Sequence, residues 1–211
     1  DAMICGTVGR FPIHLQVIDD IIGRHPEARN LYALSLLIVP GGTLFLCDTY
    51  VNENPSAADI CEMTVLAAEE IRRFGVEPKV ALLSHSSFGS SRSASAGKMQ
   101  EALRLLAKQA PTLEVEGEMH ADAALSPEIR ARIFPNSKLK GVANLLVMPT
   151  LDAANIAFNL LKEAGNGLAV GPILLGAARA CHIVTPSVTA RGIVNVSAIA
   201  VVDAGTCKAA P

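Results

Sequence analysis

Aromatic side chains are scarce in this sequence, which has no tryptophan, two tyrosines and six phenylalanines among its 211 residues. Half of the residues are nevertheless hydrophobic, so the core must be built from aliphatic side chains and alanine. Such a composition is typical of a buried parallel sheet covered by helices, whose strands are runs of Val, Ile and Leu. A chain of this length can bury one large core or two modest ones.

Charged residues are also few, and neither sign predominates. Charged residues make up 18% of the sequence, the formal net charge is −2, and Lys and Arg are dispersed. Binding to nucleic acid or to an anionic membrane surface needs a basic stripe or patch. Neither partner is therefore expected.

The cysteines offer neither a disulfide framework nor a zinc site. The five are an odd number, lie far apart and include no C-x-x-C pair (Cys5, Cys47, Cys61, Cys181 and Cys207), so we expect reduced thiols. The longest apolar stretches, such as residues 34–39 and 193–202, fall short of the roughly 20 residues that cross a bilayer. We expect a soluble cytoplasmic protein without a signal segment. Because residue 1 is Asp, we also expect a piece of a longer protein.

Strand-like and helix-like segments alternate along the chain. The hydrophobic pattern predicts strands at residues 2–5, 33–39, 43–48, 79–84, 113–119, 143–148 and 168–173. It predicts helices at residues 13–22, 56–74, 96–109, 127–134, 152–164 and 189–202. The alternation indicates a three-layer α/β protein with a mostly parallel sheet.

Local motifs refine these elements. Pro40-Gly41-Gly42 predicts the turn of an antiparallel hairpin. Ser56 and Asp59 stand at the spacing of a helix capping box, and Asp152 is the expected cap of a later helix. Glu69 and Arg73 are predicted to pair on the solvent side of helix 56–74.

Four segments follow one another along the chain: IRRFGVEPKVALLS at residues 71–84, FPNS at 134–137, PTLDAANIA at 149–157 and GPILLG at 171–176. Taken together, they resemble the phosphate acetyl/butyryl transferase family. The resemblance extends over residues 1–204 in order. SHS at 84–86, FGS at 88–90, GEMH at 117–120 and LDAAN at 151–155 are similar to the branch fused to bacterial malic enzymes. Stand-alone phosphotransacetylases usually have glycine at the position of Ala154.

The resemblance also implies an architecture. The family has two α/β lobes, as in isocitrate and isopropylmalate dehydrogenases, with the acyl-CoA cleft between them. Residues 1–25 would then be the last strand and helix of a split first lobe, and residues 26–175 the second lobe. Residues 176–204 would return to the first lobe, and residues 205–211 would be a frayed tail. The opening part of the family domain would be missing from this chain.

Acyl transfer between phosphate and the CoA thiol needs a cation, a base and a donor to the developing oxyanion. The family supplies part of this set through an Asp-Leu-Ser-Arg-Gly segment, which falls on residues 183–187. Its serine becomes Thr185, its arginine becomes Pro186, and a later acid becomes Gly192. A second phosphate-facing arginine falls on Gln16, and a CoA-binding lysine falls on Asn159.

These replacements predict an inactive transferase site, since losing even one preorganised donor costs roughly 10²–10³ in rate. Arg10 and Arg191 are the remaining cations that could approach the cleft. A cleft without catalytic groups can still bind acetyl-CoA through backbone amides and an apolar slot. No catalytic residue and no metal ligand is therefore predicted. The predicted ligand-binding residues are Gly6, Gln16, Asn159, Gly171, Pro172 and Thr185, although turn geometry alone would also explain each glycine.

Other polar groups leave alternatives open. The Ser/Gly-rich residues 84–95 could cradle a phosphate or form a polar loop. Glu118, His120 and Asp122 would share one face of a strand, as metal ligands can, but a strand-end histidine and a helix-capping Asp are favoured. The G-T-V-G of residues 6–9 lacks the dinucleotide-binding pattern, and no G-x-S-x-G hydrolase motif is present.

Three hypotheses follow. The resemblance favours a regulatory domain that binds acetyl-CoA or a related acyl-CoA and supports a homodimer or higher oligomer. NADP and a divalent metal would belong to a malic-enzyme part outside this chain, with no cofactor in this segment. The alternatives are an active phosphate acetyltransferase, against which Pro186, Gly192 and Gln16 argue, and a purely structural oligomerisation domain. Self-association is suggested by residues 189–202, which are apolar nearly all round.

Overall fold

Strands and helices alternate through residues 1–207, the part of the chain that the computed structural model describes. The strands are β1 (Met3–Cys5), β2 (Tyr32–Val39), β3 (Gly42–Cys47), β4 (Lys79–Leu83), β5 (Glu114–Met119), β6 (Leu145–Val147), β7 (Leu168–Leu175) and β8 (Cys181–Ile183). The helices are α1 (Phe11–Ile21), α2 (Ala57–Arg73), α3 (Ala94–Gln109), α4 (Ala121–Leu125), α5 (Pro127–Ile133), α6 (Leu151–Ala164) and α7 (Ala190–Cys207).

Six of the strands form one mixed sheet in the order β5-β4-β6-β3-β2-β7. The neighbours β5–β4, β4–β6 and β6–β3 are parallel, whereas β2 is antiparallel to both β3 and β7. The predicted α/β class and the hairpin of β2 and β3 are confirmed.

Alternating side chains bury both faces of this sheet. In β4, Val80 and Leu82 belong to a core shared with α2 and α3, while Ala81 and Leu83 belong to a core shared with α4 and α6. Successive side chains of a strand point to opposite faces, so helices cover the sheet on both sides. This arrangement explains why the strands read as continuous apolar runs.

The two remaining strands, β1 and β8, pair in parallel as a separate sheet. A third small core lies beside it, in which Ile18 of α1 packs with Cys181 and Ile183 of β8. No strand was predicted at residues 181–183. A strand of only three residues is too short to carry a periodic pattern of its own.

Several local predictions are resolved by the structure. The capping box is confirmed, because the Ser56 hydroxyl accepts from the Asp59 amide while the Asp59 carboxylate accepts from the Ser56 amide. The predicted cap of α6 is wrong, since the helix begins after Thr150, whose hydroxyl accepts from the Ala153 amide. The side chain of Asp152 is exposed.

The predicted pair of Glu69 and Arg73 is wrong. Its guanidinium donates to Glu70 at 2.8 Å and to Asp203 of α7 at 2.9 Å. Glu69 is exposed, whereas Glu70 faces inward. The i,i+4 rule applies to an isolated helix surface, and here α7 packs against the side of α2 that carries Arg73.

The C-terminal helix is longer than predicted. Helix α7 continues through residues 205–207, which were expected to be frayed, and residues 208–211 lie outside the described part. Its apolar surface is divided, because Val196 and Ala200 are buried while Val194 and Val201 are 67% and 71% exposed. Among residues 1–207, no helix is long and apolar enough to cross a membrane.

Candidate ligand-binding edge

The loops that follow β3, β4 and β6 leave the six-stranded sheet at one edge, because these strands are parallel. In open α/β sheets, ligands bind beyond the carboxyl ends of the strands. The side chains that shape these loops therefore define the candidate site.

The loop after β3 is built around Asp48, a carboxylate that is 2% exposed. Its Oδ1 accepts from the amides of Ala33, Tyr50 and Val51, each at 3.1 Å. Its Oδ2 accepts from the backbone and side-chain amides of Asn52, at 2.9 and 2.7 Å. Burial raises the pKa of Asp48, and the hydrogen bonds from Asn52, Tyr50 and Val51 oppose that shift. The carboxylate holds this loop in one conformation.

Two side chains tie this loop to the loop after β6. Lys98 of α3 donates from Nζ to Asn54 Oδ1 at 2.7 Å and to the Pro149 carbonyl at 2.6 Å. Asn155 of α6 donates to the Thr49 carbonyl at 3.1 Å. Partial burial lowers the pKa of Lys98. The loops after β3 and β6 therefore form one continuous, rigid rim.

The Ser/Gly-rich loop after β4 is organised by Glu118 rather than by an outside anion. Glu118 Oε1 accepts from the Ser86 hydroxyl at 2.6 Å, the Gly89 amide at 2.9 Å and Gln100 Nε2 at 3.2 Å. Burial raises the pKa of Glu118, but these donors outweigh burial, so the pKa is lowered overall. The polar-loop interpretation accounts for these contacts.

His120 and Asp122 have local roles at the end of β5. His120 Nε2 lies 2.7 Å from the His85 carbonyl oxygen, and Asp122 accepts from the Ala123 amide. Among residues 1–207, no cluster of three or more His, Cys, Asp or Glu side chains could hold a metal ion. The hydrogen-bonded strand-end histidine agrees with the structure. The helix-capping role of Asp122 is wrong, because His120 is the N-cap of α4 and no side chain caps that helix.

The small sheet brings two of the predicted ligand-binding residues together. The Val184 amide donates to the Cys5 carbonyl at 2.8 Å, so Gly6 lies beside Val184 where the parallel strands β1 and β8 end, and Thr185 is the next residue. Gly6 is buried with φ +108°, and a Cβ atom there would lie 2.2 Å from the Val184 oxygen. Close approach of two backbones therefore explains this glycine, while the Thr185 side chain is partly exposed.

An aromatic pair joins the small sheet to the large one. Phe11, the first residue of α1, stacks on Tyr50 with ring centroids 5.0 Å apart. Tyr50 belongs to the loop held by Asp48, and α1 follows the loop that leaves β1. The loops at the ends of β1 and β3 are thereby linked.

Gly171 and Pro172 do not lie where the sequence predicted. They were expected at the end of a strand, in a loop sharing a rim with Gly6, but they lie inside β7. The ladder runs from Leu34–Ile173 to Leu36–Val170, so both residues stand opposite Ser35 in a β-bulge. Pro172 is buried, and Gly171 has φ +109°. A bulge accommodates proline because it removes the need for a ladder donor.

Gln16 and Asn159 lie on exposed helix surfaces. Gln16 of α1 donates to Asp20 at 2.8 Å, and Asn159 of α6 donates to the Asn155 carbonyl at 3.0 Å. A groove of about 1130 Å³ lies between α2, β7, β8 and α7. None of the six predicted ligand-binding residues lines it.

The sequence analysis did not predict a role for Asp48, Tyr50 or Lys98. The turn-forming residues around Pro55 are the one signal in the sequence that indicates the loop after β3.

Comparison with known proteins settles the family. The profile for phosphate acetyl/butaryl transferase matches residues 1–201. The chain belongs to this family. The resemblance drawn from the sequence is thereby confirmed.

Within the family, full-length relatives extend well beyond this chain. The NAD-dependent malic enzyme of Rhizobium meliloti (strain 1021) is 54% identical over 203 residues, 96% of this chain and 26% of that protein. The NADP-dependent malic enzyme of Escherichia coli (strain K12) is 49% identical over 207 residues, 98% of this chain and 27% of that protein. The chain thus spans about a quarter of the length of these relatives.

The fold agrees with solved members of the family. A phosphotransacetylase from Streptococcus pyogenes superposes with a TM-score of 0.91 at 27% identity, covering 100% of this chain and 64% of that one. The mixed α/β architecture is therefore that of a phosphotransacetylase.

Asp48→Asn should lower the free energy of unfolding by roughly 1–3 kcal/mol, because an amide group cannot accept from every donor that now meets the carboxylate. Urea denaturation measures the change. Asp152→Asn is the control, since Asp152 is exposed, and it should cost less than about 0.5 kcal/mol. Equal stability of the two variants would contradict the role given to Asp48.

Proposed function

We propose that this chain is a regulatory, acetyl-CoA-binding domain of a malic enzyme and that it does not transfer acyl groups. The observation that carries the proposal is the segment after β8. There Thr185 follows directly on the contact between Gly6 and Val184 and keeps a hydroxyl, but no cation stands beside it in the segment 184–187. Thr185 Oγ1 lies 3.0 Å from Ser187 Oγ, and Pro186 and Ser187 are exposed. A thioester carbonyl could accept from this hydroxyl, whereas a phosphoryl group would lack its counter-charge.

The positions that carry charge in the family's transferases support the same conclusion. Pro186 offers neither charge nor a backbone N–H, and Gly192 has no side chain. Gln16 is uncharged and donates a hydrogen bond to Asp20. An active phosphate acetyltransferase is the alternative, and it would have to use Arg10 or Arg191, both of which are exposed.

We expect no acetyl phosphate-dependent acetylation of CoA by the complete domain, because the phosphoryl charge would be uncompensated. A coupled assay for loss of the free thiol should stay at background. Turnover near the ~10 s⁻¹ of an ordinary enzyme would favour the transferase.

This chain matches only 26% and 27% of the length of the two malic enzymes. Malate oxidation would belong to the remaining part of those proteins. We propose that NADP and a divalent metal bind to that other part, in a cytoplasmic enzyme.

The proposed cleft lies between two lobes arranged as in isocitrate-type dehydrogenases. Residues 1–25 and 176–204 would complete one lobe, which is consistent with the separate β1–β8 sheet. Residues 26–175 would form the other lobe. One lip would be the exposed residues 7–10 and 185–187, and the other the rim held by Asp48 and Lys98, with Phe11 and Tyr50 joining the two.

We also propose that the complete domain forms a two-fold dimer through α7. Val194 and Val201 lie two turns apart on one exposed face of the helix, and exposed apolar patches mark contact surfaces. Sedimentation velocity at micromolar concentration should give a dimer, and Val201→Glu should dissociate it. Val142→Glu, at an exposed valine away from α7, is the control. A monomeric wild type would refute the dimer.

Calorimetric titration of the complete domain tests the ligand. Acetyl-CoA should bind more tightly than acetyl phosphate. Thr185→Val should weaken acetyl-CoA binding about 3- to 10-fold, the worth of one hydrogen bond. Thr112→Val, at an exposed threonine before β5, should leave binding unchanged.

Failure of both ligands to bind would favour the purely structural alternative. Replacing the predicted binding residue Gly171 by a bulky residue such as Leu would not test ligand binding, because Gly171 has φ +109° and its added Cβ would lie 3.2 Å from the Leu34 oxygen. That change would distort β7 whether or not a ligand binds there.

A further inference from the structure

The loop from β1 to α1 is exposed at each of its residues, 7–10. We call it the lip loop, because it belongs to the proposed acyl-CoA cleft. Val8 near its middle is 82% exposed. Short exposed loops that contain glycine are mobile unless a contact from outside the loop holds them. The conformation of the lip loop therefore depends on what reaches it from the neighbouring elements.

One side chain of α1 reaches back to the lip loop. Nε2 of His14 lies 2.7 Å from the carbonyl oxygen of Val8. A carbonyl oxygen can only accept a hydrogen bond, so Nε2 carries a proton and donates it. Helix α1 is itself anchored, because Ile18 is buried in the small core and Phe11 stacks on Tyr50. His14 thus ties an exposed loop to a fixed helix.

Gly9 allows the imidazole ring to reach the Val8 carbonyl. Its φ is +97°, and a Cβ atom there would lie 3.1 Å from Nε2 of His14. A larger residue would press on the ring and would also be strained at this φ. Both glycines of the G-T-V-G segment thereby gain a structural reason, since Gly6 lies against Val184 and Gly9 against His14.

The lip loop stands at the same end of the small sheet as the Thr185 hydroxyl. Strands β1 and β8 are parallel, and Gly6 meets Val184, the residue before Thr185. An acyl-CoA whose thioester carbonyl accepts from Thr185 would have its apolar acyl end or pantetheine arm near this loop. A loop that is already held in one conformation loses less freedom when a ligand binds.

We propose that His14 is a positioning residue of the acyl-CoA site: it holds the lip loop in place, with the exposed Val8 side chain as an apolar contact for the ligand. The role in ligand binding rests on the proposed function. His14 itself need not touch the ligand. Loss of its hydrogen bond frees the lip loop, while β1 and α1 stay in place through Ile18 and through the bond from the Met3 amide to the Ala180 carbonyl.

Backbone ¹⁵N relaxation of the 211-residue chain tests the hold on the loop without any ligand. Order parameters of residues 8–10 should be near 0.85 in the wild type and below about 0.6 in His14→Leu. His14→Gln should restore them, because its amide N–H can donate in place of Nε2. His25→Leu is the control, at an exposed histidine whose Nδ1 accepts from the Glu27 amide. Order parameters of β1 should not change in any variant.

Calorimetric titration of the complete domain tests the effect on the ligand. His14→Leu should weaken acetyl-CoA binding about 3- to 10-fold, the worth of one hydrogen bond, and His14→Gln should recover most of the loss. Gly9→Ala should break the same contact from the loop side, so it serves as a second variant if His14→Leu does not fold. Because both changes remove one contact, the double variant should bind no more weakly than Gly9→Ala alone.

Each measurement has a result that would overturn the proposal. A loop that is mobile in the wild type, or still rigid in His14→Leu, would refute the hold. Unchanged acetyl-CoA affinity in a variant whose loop is mobile, or additive losses in the double variant, would refute the role in binding. A wild-type domain that does not bind acetyl-CoA would refute the proposed function and the ligand contact of Val8, whereas the relaxation data would still decide whether His14 holds the loop.

Discussion

The parallel pairing of β1 with β8 is the constraint on which the rest of the molecule depends. It joins Met3 to Cys181 and Cys5 to Ile183, from the two ends of the chain. This contact buries Ile18 against Ile183 and places Val184, the residue before Thr185, beside the buried Gly6. Without it, α1 would have no sheet to cover, and the proposed cleft would lack one of its lips.

Three buried carboxylates have different consequences because their donors differ. Asp48 and Glu118 each accept from several neutral donors of the loops around them. Such groups stabilise an ionised carboxylate and fix a loop in place. Glu70 instead shares one guanidinium with Asp203. The first two therefore fix loops, whereas the third takes part in the connection of α2 to α7.

We propose that the family's fold and its reaction are separable in this chain. Superposition on a phosphotransacetylase with a TM-score of 0.91 requires only that the same apolar pattern and turns be kept. The resemblance implies charged groups for the reaction at the positions of Pro186, Gly192 and Gln16, and none of these residues is charged. A domain can thus keep a cleft and a pair of lobes while its role changes to binding and assembly, as we propose here.

The sequence by itself determined the α/β class, the β2–β3 hairpin, the capping box at Ser56 and Asp59, and the family. These features depend on neighbouring residues, whose periodicity and turn chemistry are local. Only the tertiary structure decided that Gly171 and Pro172 form a bulge inside β7, that Arg73 pairs with Asp203, and that Asp48 organises a loop. Each depends on an element distant in sequence, and burial and hydrogen-bond partners are properties of the packed chain.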